Sequence, residues 1–308
     1  MRRLLLGLAA CAAGLGSPAR GVVIQTASGT GNTSAPADDP GWTNMGVRGV
    51  GTGVYLGDGW VLTASHVGPG DIELSGTTYP AVPGSTVQLT NAGEAGKTSL
   101  TDLILYRLST SPAGMAGVTL AAAAPAAATP VTMIGSGRDR GAFTEWSVNQ
   151  ATTPWTWTVV SSGGDFAGYQ TLGTRAMRWG TNAVDGAVVW IAESDLAPPL
   201  DVRCLATVFD GAPGSTEAQA VYGDSGGGVF VTNGSGWDLA GLILDVRGWS
   251  GQPDPGATPV FGKVTFAADL AFYRPQILAV VPEPALPFAP LVAAAILAGR
   301  WRIRLRAR

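Results

Sequence analysis

Gly51-Thr52-Gly53-Val54-Tyr55-Leu56-Gly57-Asp58-Gly59-Trp60-Val61-Leu62-Thr63-Ala64-Ser65-His66-Val67 is the stretch whose reading decides the fold. Two runs of β-branched, aromatic and aliphatic residues flank an Asp-Gly pair, the residue types that accept the backbone of a tight hairpin turn. The stretch predicts two antiparallel strands, and the second delivers the only histidine of the chain, His66. A further strand-like run, Leu103-Ile104-Leu105-Tyr106-Arg107-Leu108, follows Asp102 directly, and Val131-Thr132-Met133-Ile134-Gly135 opens another set beyond the Ala and Pro rich joint 121–130. Glycine, threonine, valine and tryptophan are plentiful, while long amphipathic helical stretches are missing, so the expected class is all-β.

The division that follows has a first β unit over 45–120 carrying His66 and Asp102, a linker over 121–130, and a second β unit over 131–279. Far down the second unit lies Gly223-Asp224-Ser225-Gly226-Gly227. A serine hydroxyl is a poor nucleophile at neutral pH. It needs a base titrating near seven, and that base needs a carboxylate to fix its tautomer. Only His66 can be that base. Ser225 is then the nucleophile and Asp102 the orienting acid. Asp71, the alternative acid, follows a Gly-Pro-Gly loop and lacks an apolar strand to bury it. Each residue also has a plainer role, as a structural histidine, the first residue of a strand, or an ordinary glycine turn. The run also fits the G-x-S-x-G elbow of α/β-hydrolases, but that fold needs its histidine after the serine, and none follows Ser225.

Composition narrows the remaining classes. With 13% charged residues and no internal basic cluster, the body lacks the electrostatic footprint of a nucleic-acid binder. Two cysteines and one histidine are too few for the usual zinc sites, although a calcium site built from carboxylates and carbonyls stays open. No cofactor is expected.

Both ends have the character of address labels. Arg2-Arg3, an apolar run from Leu4 to Leu15 and the small-residue exit Ser17-Pro18-Ala19 predict an export signal over 1–19. A rival reading takes Leu8-Ala9-Ala10-Cys11 as a lipoprotein processing site. Cleavage at Ala19 leaves Cys204 alone, so no intramolecular disulfide can form. Residues 20–44 form a lead-in segment; 21–41 are rich in Gly, Ser, Thr, Pro and Asp with little periodicity after Ile24, and most of that stretch is expected to be exposed.

The tail over 280–308 runs Val281-Pro282-Glu283-Pro284, then an apolar stretch from Leu286 to Gly299, then arginine at every second position from Arg300 to Arg308. It resembles the PEP-CTERM sorting signal of Gram-negative bacteria. That resemblance implies transient membrane association, cutting by an exosortase-type enzyme, and release to the cell surface, outer membrane or extracellular matrix. A plain membrane anchor is the alternative. Losing both ends takes seven arginines and one acid from 19 basic and 22 acidic residues, which leaves 12 and 21 and a net charge near −9. Such a body disfavours polyanions.

Leu62 to Val67, Thr101 to Leu108 and Gly223 to Gly228, in that order, resemble the histidine, aspartate and nucleophile segments of the trypsin/chymotrypsin-like serine peptidases. Leu239-Ala240-Gly241-Leu242-Ile243 and Thr258-Pro259-Val260-Phe261-Gly262-Lys263-Val264 are similar to two later strands of that family. The resemblance implies two antiparallel β-barrels with the active site in the cleft between them, a short C-terminal helix, and hydrolysis of a protein or peptide substrate. It implies an oxyanion hole from the N–H groups of Gly223 and Ser225, and a loop-ordering Asp224 paired with a freed N-terminal amine. Substrate-binding positions fall on Gln219, Leu244, Asp245 and Val246.

The chain also departs from that family. It has no Ile-Val-Gly-Gly start, only Val22-Val23-Ile24, and Gln219 replaces an acidic pocket base, so a neutral P1 side chain is expected. Leu244-Asp245-Val246 stands where Ser-Trp-Gly is usual, removing a hydroxyl that supports the triad aspartate. The segment 138–203 is longer than usual and carries Trp146, Trp155, Trp157, Trp179 and Trp190, which suit strand packing or an exposed glycan-binding face. These departures motivate a second expectation: a catalytically silent domain that binds polymer or protein.

Overall fold

The computed structural model describes residues 21–26, 28–193, 196–211 and 215–281. The segments expected to be an export signal, with Cys11, and nearly all of the expected sorting tail lie outside the described residues. Among these residues, no helix is long and apolar enough to cross a membrane.

Two antiparallel sheets hold the core. Sheet I runs, edge to edge, Thr77–Tyr79, Ile72–Leu74, Met45–Arg48, Gly51–Gly57, Trp60–Ala64, Leu100–Arg107 and Val87–Thr90. The predicted hairpin forms: Gly57 pairs with Trp60, and both loop residues, Asp58 and Gly59, take positive φ of 50° and 81°. That backbone matches the right-handed twist of the flanking strands. Sheet II runs Arg178–Ala183, Pro130–Gly135, Gly228–Thr232, Trp237–Arg247, Lys263–Asp269, Leu200–Phe209 and Val189–Glu193. Thr119–Leu120 adds to it in parallel beside Asp238 and Leu239, just before the predicted linker.

Neither sheet closes into the expected barrel. In sheet I the chain beyond the edge strand Thr77–Tyr79 rejoins the end of Leu100–Arg107 only through an isolated bridge from Ala81 to Leu108, flanked by the Val82 N–H on the Arg107 carbonyl and the Ser109 N–H on the Pro80 carbonyl. In sheet II the two edges are successive parts of one stretch, and contact is kept by an isolated bridge from Val184 to Thr207, with the Asp185 N–H on the Ala206 carbonyl, before the chain turns at Gly186 with φ 70°. The architecture is therefore mostly β, with two open, facing sheets and, among the described residues, one α-helix, Leu270–Val280, capped by the Asp269 carboxylate on the Ala271 N–H.

The lead-in begins in the core. Val22, Val23 and Ile24 are 0% exposed. Val23–Ile24 pairs with Ala218–Gln219, so this apolar triplet is a short core strand rather than the start of an exposed arm.

The tryptophan-rich segment also resolves. Arg138–Asn149, Thr156–Val160 and Phe166–Arg175 form a separate three-stranded sheet. Trp146 is buried against Trp157, Trp155 stacks on Trp249, and Phe166 fills the space between them. The rings mainly pack on each other. Trp179 bonds through Nε1 to the Ser34 carbonyl, and Trp190 packs on Phe272. Cys204 is a free, buried thiol.

Lys263 is the least expected core residue. It lies on the same face of its strand as Thr265 and Ala267, is 1% exposed, and its Nζ has no hydrogen-bond partner among the described residues. Burial pulls its pKa down from 10.5 to about 7, against the attraction of Asp245 and Asp254. A folded pKa below the unfolded one means that the unfolded chain binds more protons between those values, so this group favours folding progressively as pH rises from 7 to 10. Relative to Lys263→Met, the wild type is expected to gain urea midpoint across that window. A midpoint difference independent of pH would contradict it.

Candidate active site

Strand register brings the histidine and the aspartate together. Trp60–Ala64 lies beside Leu100–Arg107 with Ala64 opposite Leu103, so Ser65 and His66, just past the end of the first strand, come beside Asp102 inside the second. Ser65 N–H donates to the Asp102 carbonyl at 3.1 Å. The Asp102 carboxylate, 0% exposed, then uses both oxygens on His66: Oδ1 accepts the main-chain N–H at 2.9 Å, and Oδ2 meets ring Nδ1 at 2.6 Å. The ring is thereby held with Nδ1 protonated and Nε2 facing away from the carboxylate. Asp71, the rival acid, is exposed and accepts from the Ala81 N–H.

Partial burial alone lowers the His66 pKa. The hydrogen bond and charge of Asp102, with Glu193 and Asp245 further off, outweigh it and hold the ring above its ordinary 6.5.

The loop carrying Ser225 is pinned where the two sheets meet. Thr52, in sheet I, donates its N–H to the Ser225 carbonyl at 2.8 Å and its hydroxyl to the Gly223 carbonyl at 3.0 Å. The Ser136 N–H in turn donates to the Thr52 hydroxyl at 3.0 Å. Gly226 requires its left-handed φ of 84°, and a Cβ there would sit 2.0 Å from the Thr52 carbonyl. Gly223 is also left-handed at 98°. With the Gly223 carbonyl tied back, the N–H groups of Gly223 and Ser225 meet no acceptor among the described residues.

His66 and Ser225 line one cleft of ≈ 610 Å³, together with Gly223, Ala220 to Tyr222 and Leu244 to Val246. The serine hydroxyl differs from expectation in one respect. Its recorded hydrogen bond goes to the Leu244 carbonyl at 3.3 Å rather than to the imidazole. Leu244, Asp245 and Val246 line the cleft, but Gln219 does not: it is fully buried behind the wall formed by Ala220 and Val221, paired through its backbone with Val23.

Asp224 also departs from what the resemblance implies. Its carboxylate accepts the N–H groups of Gly137 and Val221 at 2.7 and 2.8 Å, and no amine reaches it among the described residues; Gly21 instead donates its N–H to the Gly137 carbonyl. Burial lifts its pKa to about 7, opposed by those two N–H groups and by the charges of Arg175 and Arg178. Gly135 and Gly137 leave the room it occupies, since a Cβ at either would strike its oxygens.

Sequence reasoning missed Glu193. This acid ends the strand Val189–Glu193, is 7% exposed and lines the same cleft. A signal for it existed: in the run Val189-Trp190-Ile191-Ala192-Glu193, the acid shares the inward parity of buried Ile191. No cluster of three or more His, Cys, Asp or Glu suited to a metal ion occurs among the described residues.

The fold and the cleft define a mostly β protein with a His–Asp pair and a serine set between two sheets. Residues 29–168, less than half of the chain and including His66 and Asp102, match the Trypsin family. That match supports a serine-type endopeptidase. No curated protein matches the chain. Among solved structures, mouse neuropsin, described as a serine protease expressed in the limbic system of the brain, is 18% identical with a TM-score of 0.47, covering 82% of this chain and 98% of its own. A mutant of human heparin binding protein is 17% identical with a TM-score of 0.49, covering 84% and 99%.

Proposed function

We propose that the protein is an exported serine endopeptidase that cleaves peptide bonds through an acyl-enzyme on Ser225. The observation that carries the reading is the buried Asp102 carboxylate with both oxygens on His66, in a cleft that also holds the Ser225 hydroxyl.

The chemistry follows from these positions. On substrate binding the Ser225 hydroxyl leaves the Leu244 carbonyl and donates to His66 Nε2. Its oxygen attacks the peptide carbonyl carbon as its proton passes to Nε2, and the carbonyl electrons move to an oxyanion held by the Gly223 and Ser225 N–H groups. The imidazolium, stabilised by Asp102, gives that proton to the departing amine. Water, deprotonated by the same nitrogen, then hydrolyses the ester and regenerates Ser225.

The Ser225 contact with Leu244 also favours a second reading, a catalytically silent domain that binds protein or polymer. One experiment decides between them. A fluorophosphonate probe is expected to label the protein recovered outside the cytoplasm at Ser225, and mass spectrometry of the adduct also reads the ends of the mature chain. Absent labelling supports the silent domain, labelling that survives Ser225→Ala removes the assigned nucleophile, and a chain intact from Met1 to Arg308 overturns export processing.

A further inference from the structure

The cleft carries a carboxyl group that the proposed chemistry does not use. Glu193 and Asp245 face it from the ends of two strands of sheet II, beside His66 and Leu196. Asp245 is provided for: its Oδ2 accepts from Arg247 Nε at 2.8 Å and its Oδ1 from the Val246 N–H at 2.7 Å. Arg247 in turn reaches across to the Ala192 carbonyl at 2.7 Å, which ties the two strand ends together. Glu193 is not provided for. Its Oε1 is buried and accepts no hydrogen bond among the described residues.

A buried acceptor without a donor costs free energy, and a buried carboxylate without a counter-charge costs more. Burial, reinforced by the charges of Asp245 and Asp102, lifts the Glu193 pKa to about 8, with His66 and Arg247 pulling the other way. The cleft wall thus holds an acid whose buried Oε1 meets no donor among the described residues, where a bound chain would cover it. An incoming ammonium or guanidinium would donate to Oε1 and supply the missing charge, while its methylene stem lay along Leu196.

We infer that the Glu193 and Asp245 wall is a subsite for a lysine or arginine side chain of the peptide substrate, on the acyl side of the scissile bond beyond the first residue. The inference rests on the peptidase reading above. It places the cation past the first residue because Ala220 to Tyr222 and Leu244 line the cleft together with Ser225, whereas Asp245 follows Leu244 on its strand and Glu193 ends the strand tied to that one through Arg247 and the Ala192 carbonyl. Recognition there uses charge at a partly desolvated acid, which separates lysine and arginine from glutamine or methionine of similar length.

The test uses the full protein and a fluorogenic peptide set in which each acyl-side position carries Lys, Arg, Gln or Met in turn. At one position beyond the first, Lys and Arg are expected to exceed Gln and Met in kcat/KM by about 10- to 100-fold, the range of a charge-assisted hydrogen bond. Glu193→Gln is expected to reduce that preference to within about 3-fold, and Asp245→Asn to reduce it in part. Glu193→Lys should favour Glu at the same position. Should Glu193→Gln fold poorly, the Asp245→Asn and Glu193→Lys proteins carry the decision. Cleavage and probe labelling without a basic preference, or a preference unchanged in all the variants, overturn this inference and leave the peptidase reading standing. Absence of both cleavage and labelling in the wild type removes the two together.

Discussion

Turnover of a peptide substrate by Ser225→Ala is expected to fall by about 10⁶-fold in kcat, with KM little changed. The size follows from how the site works as a unit. Without the hydroxyl, His66 has no proton to take and no covalent intermediate forms, so the intact imidazole and Asp102 contribute almost nothing on their own. What survives is the binding of the chain in the cleft and the polarisation of its carbonyl by the Gly223 and Ser225 N–H groups, together worth about 10³- to 10⁴-fold over water. The small side chain at position 225 disturbs little, because the loop is held through backbone atoms: the 225 carbonyl on the Thr52 N–H and the Gly226 N–H on the Ile243 carbonyl. Kinetics on purified protein with a cleavable peptide check this. A loss of less than about 10²-fold would place the nucleophile elsewhere.

Asp102→Asn is expected to lower kcat by about 10⁴-fold at neutral pH. The shape is almost unchanged, but an amide presents N–H where the carboxylate presented an acceptor. His66 Nδ1 then accepts instead of donating, and Nε2 carries the proton that blocks it as a base. The change also moves the pH profile, and its sign is fixed. Activity rises with pH as His66 loses its proton, and in the wild type that pKa lies above 6.5. Burial, the largest influence, lowers it, and Asp102 supplies most of what raises it. Removing that charge therefore shifts the acidic limb of kcat/KM to lower pH while the plateau collapses. An unshifted limb would mean that the ring is not the titrating base, and a plateau within about 10-fold of wild type would dismiss Asp102 as its orienting partner.

Much of the fold was legible from short-range chemistry. The Asp58-Gly59 turn needs two left-handed residues in succession, and that requirement is written in those two residue types. The run Leu103 to Arg107 reads as a buried strand for the same local reason, and it is buried on both faces except at its end. Val22 to Ile24 was illegible because three apolar residues have no period to read. Their burial depends on a partner, Ala218–Gln219, almost two hundred positions away. Sheet closure was equally non-local, since it depends on whether edge strands distant in sequence complete a ladder, and each sheet makes only an isolated bridge there, Ala81 with Leu108 and Val184 with Thr207.

At the site, the sequence by itself determined the chemical inventory: one imidazole, a serine set in glycine, and an acid leading an apolar strand. It also excluded the reverse order of an α/β-hydrolase. Only the tertiary structure decided who touches whom. The register of Ala64 on Leu103 gives His66 both oxygens of Asp102, the Ser225 hydroxyl rests on the Leu244 carbonyl, and Glu193 comes to face the same cleft with its Oε1 meeting no donor among the described residues. The physical reason is one of range. Backbone preference and side-chain periodicity act over a few residues and are recorded in neighbouring letters, whereas burial, hydrogen-bond pairing and the resulting pKa values belong to contacts between segments that the chain brings together only on folding.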